Sequence, residues 1–276
     1  MTPLVLSLCL AAPDAGVLLS RPVELRADRL EVKSKEQRAT YVGHAAAVRD
    51  GATLTCQRLE VQLDERREVK TITATGDVVV VDGDRRATGD EATWDNATGV
   101  LVVTGHPTAT QGPRAVEGEK VTFTTGIDRV ELEKARTRVT PTDGGVRDAL
   151  AVDADRLVLD QQRATATWLG HVRATRGTVV LTAPELVAHY DEHGEITRVQ
   201  AKGGCEAVDR DRWAKGQRAD YDVKQGVLVV TGAPEARQGK NRMKGTRVTF
   251  FPGTDFIEVE NATTVIEVDR GKGAPR

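Results

Sequence analysis

Aromatic residues are scarce in this 276-residue chain: three Trp, three Tyr and four Phe make up 4% of it. That leaves little for base-stacking platforms. A carbohydrate-active site, which sets paired carboxylates beside aromatic sugar platforms, is not evident either. An excess of charge is absent too. The 39 Lys and Arg stand against 41 Asp and Glu for a formal net charge of −2. No basic surplus exists to neutralise phosphates, so nucleic acid is not an expected partner. Three cysteines, Cys9, Cys56 and Cys205, are too few for a disulfide scaffold, and none has zinc-type spacing. No apolar run approaches the roughly 20 residues of a membrane helix. The chain also lacks a Gly-x-Ser-x-Gly elbow, a phosphate loop and a Gly-x-Gly-x-x-Gly fingerprint, so no catalytic residue and no cofactor is expected. Sustained 3.6-residue periodicity is missing as well, which argues against helices.

What is present is a duplication. Gly43-His44 recurs as Gly170-His171, an offset of 127 residues. The same offset carries Asp28-Arg29-Leu30 onto Asp155-Arg156-Leu157. It also carries Val100 to Gly105 onto Val227 to Gly232, and Val121-Thr122-Phe123 onto Val248-Thr249-Phe250. From Asp28 to Glu133 roughly 40% of positions are identical without a gap. The expected organisation is a first repeat over 23–139, a junction over 140–152 carrying Pro141, Asp143, Gly144 and Gly145, and a second repeat over 153–268. A disordered basic tail is expected over 269–276. Ahead of the repeats, Leu4 to Ala12 forms a short apolar run followed by small residues and Pro13. That run reads as a secretory signal over residues 1–15, although no Lys or Arg precedes it. A first buried strand is the alternative. Cys9 hints at a lipoprotein box, against which stands the bulky Leu8.

Inside each copy, Leu30, Leu59, Ala92 and Val121 are spaced by 29, 33 and 29 residues, and Leu157, Leu186, Ala219 and Val248 repeat those intervals. Each marks a short stretch of period-two alternation rich in Val, Thr and aromatics, which is the pattern of half-buried strands. Glycines punctuate the stretches where turns are expected. The fold class that follows is all-β, an elongated sandwich of many short antiparallel strands, duplicated. Alternation sets one side chain in two inward. In copy one the inward set is Leu30, Val32, Leu59, Val61, Trp94, Leu101, Val103, Val121 and Phe123. In copy two it is Leu157, Leu159, Trp168, Leu186, Tyr221, Leu228, Val230, Val248 and Phe250. At about 16 residues per two-stranded level and roughly 4.8 Å per level, eight levels per copy would make two collinear copies about 80 Å long. Each end of such a stack leaves a strand edge open for another chain.

The units Ala39-Thr40-Tyr41-Val42-Gly43-His44 and Val102-Val103-Thr104-Gly105-His106-Pro107 share a layout. Each is a strand ending in x-Gly-His, followed by a second strand such as Leu54 to Val61 or Val116 to Phe123. In that order and spacing, twice over, the chain resembles the OstA/LptA family of periplasmic proteins that bridge lipopolysaccharide from the inner to the outer membrane. The resemblance covers about Val23 to Val268. It implies a twisted β-jellyroll of two facing sheets, open along one side, located in the periplasm and non-enzymatic. It implies that the inward residues form a groove receiving lipid A acyl chains. It implies partners of three kinds: lipopolysaccharide itself, an inner-membrane bitopic protein and an outer-membrane barrel carrying the same jellyroll. Head-to-tail self-association is a fourth implied contact. Without the resemblance, the same inward residues read as an ordinary dry core.

One constellation competes. His189-Tyr190-Asp191-Glu192-His193 fits the His-x-x-Glu-His pattern of inverted zinc peptidases, which works only on a helix that sets both histidines on one face. The offset lays it over Gln62 to Arg66, where copy one has neither histidine, so a solvated turn is expected and no metal site. His44, His106 and His171 each follow a glycine at a strand end and read as turn residues. Cys56 and Cys205 have no counterpart in the other copy and read as small buried hydrophobes. A scaffold that adds strands at its edges and never holds lipid is the main rival to the carrier.

Overall fold

The computed structural model describes residues 24–265 apart from 50–51, 84, 112–113, 125–128, 140–148, 193–195, 252–253 and 255. The expected signal segment, most of the junction and the basic tail lie outside the described residues.

In chain order the strands of copy one are β1 (Glu24–Arg26), β2 (Arg29–Lys33), β3 (Arg38–Arg49), β4 (Ala52–Leu63), β5 (Val69–Asp82), β6 (Arg85–Asp95), β7 (Val100–Thr104), β8 (Thr108–Gln111), β9 (Arg114–Glu117), β10 (Lys120–Thr124), β11 (Arg129–Glu133) and β12 (Arg136–Val139). Copy two repeats the series as β13 (Leu150–Asp153), β14 (Arg156–Asp160), β15 (Thr165–Arg176), β16 (Val179–Tyr190), β17 (Ile196–Asp209), β18 (Arg212–Asp222), β19 (Val227–Thr231), β20 (Glu235–Gln238), β21 (Asn241–Lys244), β22 (Arg247–Phe250), β23 (Ile257–Glu260) and β24 (Thr263–Val265). All pair antiparallel. The long strands exceed what short-range alternation suggested, because each is two strand segments joined through a bend.

The bends organise the fold. At Gly43-His44 the backbone takes two successive left-handed residues, φ +79 and +44, and Gly170-His171 repeats this at +75 and +45. Two residues of β3 are thereby set against one of β4, as in a β-bulge, and the strand turns from one ladder into another. β5, β15 and β17 bend on left-handed pairs in the same way, while β4, β6, β16 and β18 cross alongside them without positive-φ residues, so a single chain builds two facing ladders that meet along one corner. The first ladder runs β2, β3, β4, β5, β6, β7, β10, β11 and continues β14, β15, β16, β17, β18, β19, β22, β23. The second runs from β1 through β3 to β6, then β8, β9, β12, β13, then β15 to β18, β20, β21 and β24. Eight segments per copy at roughly 4.8 Å each give a stack about 70 Å long.

Copy two is joined to copy one by main-chain pairing. β14 lies against β11, with Leu157 opposite Leu132 and Leu159 opposite Val130, while β13 lies against β12. Lys134 N–H donates to the Asp155 carbonyl at 2.7 Å, and Lys134 Nζ reaches Asp155 Oδ1 at 3.0 Å. The buried side chains form one cluster running from Ala45 to Phe250 through that joint.

Candidate functional site

Cross-strand register arranges the inward side chains of the first ladder into two rows. The row nearer the corner begins Leu30–Tyr41–Leu59–Ala74–Ala92–Val103 and continues through Val121 and Leu132 into Leu157, Trp168 and Leu186. It ends Ala201–Ala219–Val230–Val248–Val259. The outer row starts at Val32 and Ala39, passes Val61, Ile72, Trp94, Leu101, Phe123 and Val130, and crosses to Leu159. It then runs through Ala166, Ala188, Val199, Tyr221, Leu228 and Phe250 to Ile257. Neither row contains a charged residue or an amide. All eighteen residues named from the sequence lie in these two rows.

The facing row of the second ladder mixes alanines, Ala47, Ala87 and Ala109 in copy one and Ala207, Ala214 and Ala236 in copy two, with larger residues such as Leu54, Val116, Val152 and Leu181. Leu59, Trp168 and Leu186 are fully buried, and Leu101 and Tyr221 pack partly buried against the same core. Two of the eighteen behave differently. Leu30 is 52% and Val32 is 63% exposed, because β2 pairs with β3 on one side and no described strand lies on its other side. Their counterparts Leu157 and Leu159, covered by β11, are 0% and 4% exposed.

The outer row borders the rim opposite the corner. In copy two a small recess is lined by Val179, Ala207, Val208, Asp209, Arg212, Leu228 and Phe250. Arg212 crosses it, donating to Asp209 on its own ladder and to the carbonyl of Thr254 in the connection between β22 and β23. Burial raises the Asp209 carboxyl, but hydrogen bonds from Thr178 and Arg212 outweigh this and hold it below its ordinary value. Trp94 has its indole Nε1 buried with no hydrogen-bond partner. Trp168, in the inner row, donates to Thr137 Oγ1 at 3.0 Å instead.

The other sequence candidates fall outside the rows. His189 and Tyr190 are the last two residues of strand β16, where His189 faces Arg198 and its Nε2 lies 3.2 Å from Gln200 Oε1. His193 lies outside the described residues. Among the described residues no group of His, Cys, Asp and Glu is arranged to hold a metal ion. His44 and His171 are left-handed corner residues whose Nδ1 atoms lie 2.8 and 2.6 Å from Asp28 and Asp155. Cys56 and Cys205 are free and buried, and burial pushes both thiols above their ordinary value. Alternation left out Tyr41, Ile72, Val130 and Leu132, and it left out the facing row of the second ladder. The Thr-Ile-Thr-Ala-Thr run at 71–75 carried that signal.

A model of the protein family described as "LptA/(LptD N-terminal domain) LPS transport protein" matches this chain twice, over residues 24–127 and 151–256. Among solved structures, the chain is similar to LptH, described as the LptA-homologous periplasmic component of the conserved lipopolysaccharide transport device from Pseudomonas aeruginosa. Sequence identity is 19% and the TM-score 0.39, with 43% of this chain and 95% of that one covered. No curated protein sequence matches.

Proposed function

The chain belongs to the LptA/LptD N-terminal-domain family of lipopolysaccharide transport proteins, and from that premise we propose that it is a non-enzymatic periplasmic carrier that shields lipopolysaccharide acyl chains between its two ladders. The observation that carries this reading is the pair of apolar rows running unbroken from Leu30 and Val32 to Val259 and Ile257. A lipid moving along the molecule meets aliphatic or aromatic side chains at every level, including the joint between copies. Each buried acyl methylene contributes about 0.8 kcal/mol, so several partly buried chains are held without a polar hook. A surface uniform along its length offers no deep well in which a chain would stop.

Because the rows are packed against the second ladder, uptake requires the sheets to part along the rim. There the Arg212 contact to Thr254 is the crossing that must open in copy two. The open edges β1 and β2 at one end, and β23 and β24 at the other, serve as docking points for strands of partner proteins of the same architecture. Such partners would stand in the inner and outer membranes.

The rival reading, a scaffold without lipid, draws on the close packing of those same rows. The two separate by fluorescence quenching in the full chain, using lipid A with brominated acyl chains and variants that retain one tryptophan each. A carrier gives quenching of Trp94 and Trp168. It gives none of Trp213, which faces outward with Lys215 at 5.6 Å from its ring. Absence of quenching at all three in folded protein would leave the scaffold.

A further inference from the structure

The in-chain joint is a worked example of how one copy docks on another, and the free ends can be compared with it position by position. At the joint the outward-facing residues are complementary. Arg129 faces Asp160, Glu133 faces Arg156 and Arg136 faces Asp153, with Arg136 Nε 3.8 Å from Asp153 Oδ1. Lys134 pairs with Asp155 at the corner. Glu131 faces the neutral Val158, and Arg156 reaches it diagonally at 3.9 Å.

The 127-residue offset gives the residues that would meet if the β23–β24 end of one chain took the β1–β2 end of another in the same register. Arg129 and Asp160 become Phe256 and Lys33. Arg136 and Asp153 become Thr263 and Arg26. Lys134 and Asp155 become Asn261 and Asp28. Of the four opposite-charge pairs only Glu133–Arg156 survives, as Glu260–Arg29. In place of Glu131 opposite Val158 stand Glu258 and Glu31, like charges directly opposed across a strand pair, which is unfavourable. The inward positions, by contrast, are kept: Leu30 and Val32 would meet Val259 and Ile257 as Leu157 and Leu159 meet Leu132 and Val130. The ends therefore keep the apolar half of a docking surface and have lost the charge pattern that would fit them to each other.

Resting on the reading of the ends as strand-docking edges, we propose that this chain does not link head to tail with itself. Its β23 edge takes a different protein, whose edge strand presents aliphatic residues to Ile257 and Val259 and a basic residue opposite Glu258. On β23 the outward Glu260 is paired with Arg247 of β22 at 3.6 Å, whereas Glu258 stands opposite the neutral Thr249, so Glu258 is the position that makes that edge selective for a basic residue.

The test is sedimentation velocity on the full chain across a concentration series. It compares wild type with a variant carrying the joint's own residues at the ends: Arg26→Asp, Glu31→Val, Lys33→Asp, Phe256→Arg and Thr263→Arg. The single variant Glu31→Val guards against a folding defect in the multiple one, and each is checked by its thermal melt. The expected result is a monomeric wild type, end-to-end association at least tenfold tighter in the multiple variant, and a smaller gain with Glu31→Val alone. Wild type associating as tightly as the multiple variant would overturn this inference while leaving the ends as docking edges. No association in any folded variant would overturn both.

Discussion

Leu30 and Leu157 are the same residue in the same Asp-Arg-Leu setting, 127 positions apart, and differ only in whether a strand covers them. Truncating each to alanine therefore measures the joint between copies. At Leu157, fully buried between Leu132 and Trp168, the removed methyl groups leave a cavity. Leu→Ala changes of that kind cost about 3–4 kcal/mol. At Leu30, about half of the side chain is already in water and no closed cavity forms, so the cost is about 1 kcal/mol. With a urea slope of roughly 3 kcal/mol/M, Leu157→Ala should lower the unfolding midpoint by about 1 M and Leu30→Ala by about 0.3 M. Far-ultraviolet circular dichroism and tryptophan fluorescence in urea read both. Since one core runs through the joint, wild type should unfold in a single transition seen alike by the two probes. Equal midpoint shifts for the two variants would refute the docking of copy two on copy one as described. So would two separate transitions in wild type.

Gly170→Ala should cost about 1–3 kcal/mol, because its φ of +75 suits glycine and an added Cβ would lie 2.4 Å from Asp155 Oδ2. Gly239→Ala, with nothing within 4 Å, should cost about 1 kcal/mol or less; thermal melts that rank them the other way would contradict the corner geometry. In a Cys9→Ser background, Cys56 and Cys205 should resist maleimide in buffer and react on adding urea, and labelling within seconds in native protein would contradict their burial. Hydrogen bonds from His171 and then Lys134 hold the Asp155 carboxyl below its ordinary value of 3.8. A lowered value stabilises the folded state above the ordinary one and is lost as pH falls through the lowered one. The stability gap between wild type and Asp155→Asn should thus be widest above pH 4 and close towards pH 2. A gap independent of pH would assign the effect to something other than that carboxylate.

The duplication, the all-β class and members of both apolar rows were legible because they leave regular marks. Leu30, Leu59, Ala92 and Val121 are alternate members of the inner row, and the 29-, 33- and 29-residue intervals are the distance along the chain between every second level. The intervening members, Tyr41, Ala74, Val103 and Leu132, sit on the strands that run the other way. The corners hid the rest. Every second long strand inserts left-handed residues there, such as Gly76 and Asp77 in β5, so the alternation changes phase midway through a 14-residue strand and reads as two unrelated short ones. The second ladder was fainter still, since Ala47, Ala87, Ala109 and Ala214 give little contrast with the Thr and charged residues between them. Burial at the ends depends on which strand lies next to them. The inward residues Leu30 and Val32 are as apolar as the covered Leu157 and Leu159, and only the outward Glu31, where copy two has Val158, differs in character.

Whether lipid occupies the space between the ladders is tested most directly by photocrosslinking in living cells. A benzophenone side chain replaces Phe123 or Phe250, both buried in the outer row, or Arg129, which is bonded to Glu131 on the outer surface. Immunoblotting for lipopolysaccharide should show adducts at both phenylalanine positions and none at Arg129. Folded, exported protein that gives no adduct at either phenylalanine would contradict the carrier.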